Sequence, residues 1–594
     1  MLIKPSNTHR FDQGSHSIFP VSFLAIPTTE ASARIMLDCF LLEKSLPFMG
    51  PAGKYREQRR QNAPALMFAG LMRRWKSVWG ATLFHCGCLA ASIKWRRMRR
   101  TLGAISLCTL ALLSSAFVSI NVPLGHWSYD AVDKLIGHGL IDSAMMTTKP
   151  VSRFEMARHI AEAAGKAQQL NEQNEIILAI LDRLKDEFKA ELIALGELEG
   201  EIVQGFIKPI EDPYIKYLFA KNTPDLENQR GDVFRKHSNY RAGFASSMAV
   251  SNVAAFYLHP EYVNSSSDSD SDIDLIECYG KLAIPALAGT SLEAEMGKDS
   301  LWWGPGYEGS MLMSNNAEPF KMVKVSTPNP IQLPWIFRWF GPFKAVWFLT
   351  ELEENRTVAE PKLTGLRLNF KPHPAVEVGL SRAIMFGGSG MPRVGVRDYL
   401  NMWRPQREEE ENNQLAGFDV SVLVPVGDKM PVKSVKLYGD FAGEDEAGWI
   451  PSNWGKLFGM QLNDVLRTGR TDLRIEYADN HLSDEPNVFY THGVYEPGYT
   501  YKDRIIGHHM GTDARDLLIR LTHYLREDVI LGVEFDREVT NLSSEPHRTT
   551  DRLGLDLTLF TNRSWQLKTA YRYEDNEHGR EDNHIFLLQL IHDF

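Results

Sequence analysis

The sequence predicts a mainly β chain dominated by one large antiparallel transmembrane barrel. Three observations carry that expectation. From Leu517 onward, apolar residues alternate with polar ones in five successive segments. The polar face of those segments carries full charges, as at Arg520, Glu534, Asp536 and Arg552. Each segment is about ten residues long, the length at which a tilted strand crosses a bilayer. Successive strand side chains point to opposite faces, so one face is apolar and the other polar. A soluble sandwich also alternates, but fully charged polar faces favour the barrel.

At 594 residues and 43% hydrophobic, the chain has room for more than one unit. Ordinary hydropathy does not oppose a barrel, because the lumen-facing half of each strand is polar. The first hundred residues hold 16 Lys and Arg against 5 Asp and Glu, leaving 49 and 70 for the remainder. That acidic remainder argues against a nucleic-acid partner. Of the five cysteines only Cys278 lies beyond the N-terminal apolar run, so no internal disulfide is expected there. No paired-cysteine metal site is present, and no cofactor is implied.

Residues 1–97 form a basic extension with Arg clusters and little periodicity, either a mis-assigned start or a disordered arm. Residues 98–116 read as a complete signal peptide. Arg99 and Arg100 supply the charged region, Leu102 to Leu113 the apolar region, and Ser114-Ser115-Ala116 a small-residue cleavage site. Export to the outer membrane is expected, with a mature start near Phe117.

Residues 117–166 form a helix pair. Trp127, Ala131, Val132, Leu135 and Ile136 recur at helical spacing, and Ser152 with Glu155 suggests a capping box opening a second helix. The phrase from His126 to Val132, then Gly139-Leu140-Ile141, then Ser152 to Ala157, resembles an S-layer homology motif. The resemblance implies a wall-binding element that grips peptidoglycan. Its candidate contacts are Trp127, Arg153 and Glu155, with Arg153 the better one because Trp127 and Phe154 suit a core. A helix pair that merely packs on the next segment is the alternative.

Residues 167–200 carry a heptad pattern. Positions 170, 174, 177, 181, 184, 188, 191, 195 and 198 are apolar except Asn174 and Glu191. The spacing predicts a coiled-coil helix, with Asn174 setting register, as a periplasmic stalk. An amphipathic helix lying against the barrel mouth fits equally well.

Residues 201–594 consist of short alternating segments separated by turn residues. Strands are legible at Ala254–Tyr262, Tyr279–Leu287, Phe343–Leu352, Leu363–Phe370, Ala375–Met385, Phe418–Val426, Val435–Phe441 and Leu473–Tyr477. With the C-terminal set, they are too many for a small barrel. The Ser/Asp run Asn264–Asp274 and the glutamates within Arg407–Asn413 read as solvated loops. The former lacks the glycine and spacing of a calcium loop.

Between Gly297 and Thr327 the chain reads GKDSLWWGPGYEGSMLMSNNAEPFKMVKVST. This resembles the Wzi family of capsule assembly proteins, in which paired Trp, Gly-Pro-Gly and a Ser-Asn-Asn segment follow one another. Leu380 to Gly388 and Tyr501 to Arg515, the latter containing His508-His509, agree with it. The final Phe594, preceded by alternate apolar residues, resembles the C-terminal signal of outer-membrane barrels. The resemblance implies a monomeric barrel of about 18 strands, plugged by its own loops, that holds capsular polysaccharide. The heptads leave a coiled-coil trimer open beside the monomer.

Flat aromatics flanked by amides suit sugars, and Trp302, Trp303, Tyr307, Asn315 and Asn316 supply that mixture. Aromatics also gather at the bilayer interfaces of such barrels. Gly304, Pro305 and Gly306 force a turn, so the motif is either a structural inward loop or a direct glycan contact. His508, His509 and Asp513 lack a nucleophile setting, and no catalytic residue is expected. The predicted partners are exported polysaccharide, peptidoglycan and outer-membrane lipid. A wall-anchored general diffusion porin is the alternative.

Overall fold

Strand after strand pairs antiparallel with its sequence neighbour until the sheet closes on itself, giving eighteen barrel strands. In chain order they are β1 Gly205–Ala220, β2 His237–Val250, β3 Ala254–Ser265, β4 Ser271–Pro285, β5 Ser291–Asp299 and β6 Phe320–Ser326. Then come β7 Pro342–Glu351, β8 Lys362–His373, β9 Val376–Phe386, β10 Asn412–Pro425, β11 Ser434–Ala447 and β12 Ile450–Val465. The last six are β13 Thr471–Asp479, β14 Ala514–Arg526, β15 Val529–Thr540, β16 Arg548–Thr561, β17 Trp565–Glu577 and β18 Asn583–His592. β1 closes the barrel on β18, with Tyr214 opposite Ile591 and Ala220 opposite Ile585.

This computed structural model describes residues 118–594, except 204, 251–252, 268–270, 286–290, 405–411, 448–449, 484–486, 562–563, 579–580 and 593–594. All described residues belong to one compact unit of the chain, residues 50–594. The basic extension 1–97 and the signal peptide 98–116 lie outside the described residues, as do Phe594 and most of 407–413.

The period-two pattern becomes two chemically distinct faces. Leu258, Leu380, Phe418, Phe458, Val533 and Leu555 are exposed on the outside. Glu261, Lys281, Lys324, Arg367, Asp440 and Arg552 are buried inside. Connections alternate in length: one end has tight turns such as 374–375 and 527–528, the other the long excursions 300–319, 387–411 and 480–513. The run Asn264–Asp274 is mostly strand rather than loop, since Asn264 pairs with Ser271 and Val263 with Asp272.

Before β1 the described residues form four helices, α1 Ser128–Gly137, α2 Arg153–Gln169, α3 Glu175–Glu187 and α4 Lys189–Ala194. Ser152 caps α2 by accepting the Glu155 N–H at 3.2 Å. The Glu155 side chain does not complete the box; it accepts from Lys344 of β7. The expected coiled coil is not one helix. α2 ends at Gln169, Leu170 is exposed, and Asn174 is the extended N-cap of α3, accepting from the Ile176 and Ile177 N–H groups. Asn174 thus satisfies orphan donors at a helix start instead of setting register in a seam. Ile177, Leu181, Leu184 and Phe188 are buried with residues of α1 and α2 and with Tyr524 of β14. That burial leaves no apolar seam on this stretch for a trimeric stalk.

The helices seat in the tight-turn mouth of the barrel. Lys134 reaches Asp472 at the start of β13 at 2.7 Å, and Ser434 of β11 donates to the Gly137 carbonyl at 2.6 Å. Arg183 stacks on Phe560 at the end of β16, 3.9 Å from its ring centroid. No described helix is long and apolar enough to cross a membrane.

Candidate functional site: the plugged lumen

The connection between β5 and β6, residues 300–319, turns inward. Trp302–Trp303 pairs antiparallel with Thr148–Lys149, the link between α1 and α2, so the inward loop and the helical unit share a two-stranded ribbon. The Gly304 N–H continues that ribbon by donating to the Thr147 carbonyl at 2.9 Å. Gly304 has φ +153°, and a Cβ there would lie 2.6 Å from Asp440 Oδ2 and Ser310 Oγ. At Gly306 a Cβ would meet the Gly309 carbonyl at 2.0 Å. Both positions need glycine because the loop doubles back against itself and the wall.

Wall carboxylates hold the loop. Glu476 of β13 accepts the Tyr307 and Glu308 N–H groups at 2.9 and 3.0 Å. Asp440 of β11 accepts the Met311 N–H at 2.9 Å and the Ser310 hydroxyl at 3.0 Å. Arg367 of β8 donates to Thr148 Oγ1 at 2.7 Å, to the Thr147 carbonyl at 2.8 Å and to Asp419 at 2.6 Å. A second inward loop, 480–513, meets the first: Ser314 donates to the Gly507 carbonyl, and Tyr490 donates to the Met311 carbonyl.

The five predicted contact residues divide. Trp303 is 1% exposed and packs edge-on to Phe348, their centroids 5.5 Å apart, in the apolar centre of the plug. Asn316 is buried and donates to the Ile505 carbonyl at 3.0 Å, tying the two loops together. Trp302, Tyr307 and Asn315 line a cavity of about 280 Å³ between the loop and the helical unit, together with Gly304, Pro305 and Gly306. Asn228 and Asn315 border both this cavity and a neighbouring one of about 450 Å³. Trp302 Nε1, Asn228 Oδ1 and Asn315 Oδ1 are buried without a hydrogen-bond partner.

Charge at this cavity is uneven. Lys436 and Arg474 both pair with Asp133 of α1, at 2.8 and 3.0 Å. Burial alone would raise the Asp133 carboxyl, but those two cations hold it well below the usual range. Lys149 has no such partner among the described residues. Its ammonium lies 5.1 Å from the Tyr129 ring centroid and 5.7 Å from that of Trp302. Burial pulls it down to about 8. Tyr307 stacks on Arg474 at 4.3 Å, and burial raises its phenol. Sequence reasoning missed Lys149 and Asn228, single polar residues in connections that no spacing distinguishes.

The predicted wall-binding residues face other partners. Arg153 is locked between Glu187 at 2.8 Å and Glu191 at 2.7 Å, over the Phe188 ring. Glu155 is buried against Lys344 at 2.7 Å. Trp127 packs edge-on to Phe560, 5.6 Å between centroids, and borders the larger cavity. His508 and His509 stack on each other at 4.6 Å inside the lumen, while Asp513 binds His481 and Ser543.

An apolar exterior, a charged interior and a lumen filled from both ends define a plugged membrane β-barrel. Residues 216–584 match the family of the capsule assembly protein Wzi, and the chain belongs to that family. Membership is of an assembly family, and the protein is not an enzyme. The chain is similar to Escherichia coli Wzi, described as a carbohydrate-binding outer-membrane β-barrel involved in group 1 capsule assembly. The TM-score is 0.61 and the identity 20%, covering 80% of this chain and 99% of that one. It is also similar to an uncharacterized 55.8 kDa protein in the cps region of Klebsiella pneumoniae, 32% identical over 161 residues. That match takes in 25% of this chain and about 30% of the Klebsiella protein's length.

Proposed function

We propose that the protein binds exported polysaccharide, capsular or extracellular, and retains it at the outer membrane, with the cavity beside Trp302 receiving a sugar ring. The observation that carries this reading is the set of unpartnered polar atoms around an aromatic face. Trp302 Nε1 can donate, and Asn228 Oδ1 and Asn315 Oδ1 can accept. A sugar hydroxyl does both, and the indole face suits the apolar face of the ring. Lys149 adds a cation with no ion-pair partner among the described residues, suited to an acidic sugar. The carbohydrate binding described for the Escherichia coli relative accords with this reading.

The barrel's tight turns face the periplasm on this reading and its long loops the exterior. The exposed Trp335, Trp339 and Phe340 lie on a tight-turn-side connection, and Phe340 joins Phe370 and Phe343 on the outer face. Such aromatics suit the lipid interface. Peptidoglycan anchoring finds no support at Arg153 or Glu155, whose charges are spent within the protein. An open diffusion porin is disfavoured by the loop and helices inside the lumen.

The test measures retained surface polysaccharide in cells carrying Trp302→Ala or Asn315→Ala, each confirmed to form a heat-modifiable barrel. Loss of retention supports the reading. Undiminished retention with a folded barrel rejects the cavity as the sugar site.

A further inference from the structure

Inside the lumen, away from the Trp302 cavity, four acidic side chains and a histidine converge from four elements. Glu308 comes from the first inward loop, His509 from the second, Asp516 from β14, and Asp536 and Glu538 from β15. One carboxylate oxygen each from Glu308, Asp516 and Asp536 lies within 4.8 Å of the other two. His508 and His509 form an equally tight trio with Asp516. The His509 Nε2 is 3.2 Å from Asp516 Oδ2 and 3.5 Å from Glu538 Oε2.

An acidic cluster alone says little, because carboxylates often sit beside arginines. Arg552 does neutralise part of this one, bonding Asp536 and Glu538. Glu308 and Asp516, however, have no Lys or Arg ion-pair partner among the described residues. The independent observation concerns unused atoms. His509, whose side chain is 5% exposed, has Nδ1 without a hydrogen bond, and its Nε2, though 3.2 Å from Asp516 Oδ2, is not aligned to make one. Asp516 Oδ1 and Asp536 Oδ1 also lack a hydrogen bond, on residues 3% and 0% exposed. Buried groups of this kind are nearly always satisfied, and each orphan needs an explanation. Burying several unpaired charges together is costlier still.

We propose that this cluster binds a divalent transition-metal cation, held by Glu308, Asp516, Asp536 and the imidazole of His509. One ion removes both difficulties, since it balances the excess carboxylates and gives the orphaned lone pairs a partner. The mixed oxygen and imidazole donor set suits zinc or manganese better than calcium, which takes oxygen ligands. Position gives the ion a purpose. It clips both inward loops to the wall strands β14 and β15, so it fastens the plug whichever glycan the protein holds.

The experiment uses the full chain purified in detergent. Metal content is measured as isolated, and calorimetric titration with zinc, manganese or calcium chloride follows removal of bound metal by a chelator. The expected result is about one equivalent of zinc or manganese per chain. Asp516→Asn and Glu308→Gln, each retaining heat-modifiable mobility, should lose it, and His509→Gln should weaken it by about tenfold or more. No uptake of any of the three ions by the folded wild-type chain overturns the proposal. So does uptake that survives in both carboxamide variants, or calcium binding that His509→Gln leaves unchanged.

Discussion

Lys149 stands opposite Trp302 in a two-residue antiparallel ribbon, and its ammonium lies 5.7 Å from the indole centroid. The helical unit thereby helps to shape the proposed sugar cavity. Replacing Lys149 with Met keeps the stem and removes the charge. If the held glycan is acidic, Lys149→Met lowers retention at physiological pH, and the wild type loses the same increment as pH rises through about 8. Glycan binding measured between pH 7 and 9 checks this: the variant should be flat where the wild type falls.

Arg367 joins the plug to the wall by bonding Thr147, Thr148 and Asp419 at once. Arg367→Met leaves Asp419 buried without its partner, which costs on the order of 3–5 kcal/mol. The expected outcome is a lower denaturation midpoint and faster proteolysis of residues 118–200. An unchanged midpoint would mean that this pair contributes nothing net.

Gly304 has no room for a side chain, with Asp440 and Ser310 both 2.6 Å from where a Cβ would stand. Gly304→Val therefore forces the inward loop off the wall. In planar bilayers the wild type should show no large steady conductance, and the variant should show frequent opening. A steady open channel from the wild type would contradict the plugged lumen.

The helical unit holds three histidines that burial keeps neutral, His126, His138 and His159. Burial pulls His126 down to about 4 and His138 to about 3, both from an ordinary 6.5. The unfolded chain therefore binds more protons as pH falls below 6.5, so their contribution is full above that value. It is lost progressively toward pH 4 and below, with a ceiling of about 3 kcal/mol for His126. Hydrogen exchange over residues 118–200 should accelerate on acidification, and exchange that ignores pH in that window would sink the argument.

Asn174 caps α3. Asn174→Ala should cost about 1 kcal/mol and leave the oligomeric state in detergent unchanged. A change in mass by light scattering would restore the coiled-coil reading.

How legible the fold was depended on what each strand faces. Where the lumen side carries charged residues, as at Asp419 of β10, Asp516 and Arg520 of β14 and Arg552 of β16, alternation is plain in the sequence. β6 and β12 escape detection because they face the plug. Phe320 and Met322 of β6 point inward while Lys321 points out, and Leu457 of β12 is buried inside beside the exposed Phe458. β1 hides behind Pro209 and Pro213 and two register shifts. The heptads in 167–200 were real apolar periodicity, but one sequence cannot say whether such a stripe meets another chain or its own. Trp302 was within reach because paired Trp before Gly-Pro-Gly is unusual. The cluster around Asp516 was not, because its members lie up to 230 positions apart and only barrel closure gathers them.

The seating of α1 and α3 imposes a timetable on biogenesis. Their footholds, Asp472, Tyr524 and Phe560, lie more than three hundred positions downstream of the helices they hold. The helical unit leaves the ribosome early yet cannot dock until nearly the whole wall has been inserted. Such distant pairings form slowly. Its apolar side therefore stays uncovered until the wall is nearly complete, so docking of the helices marks closure of the barrel.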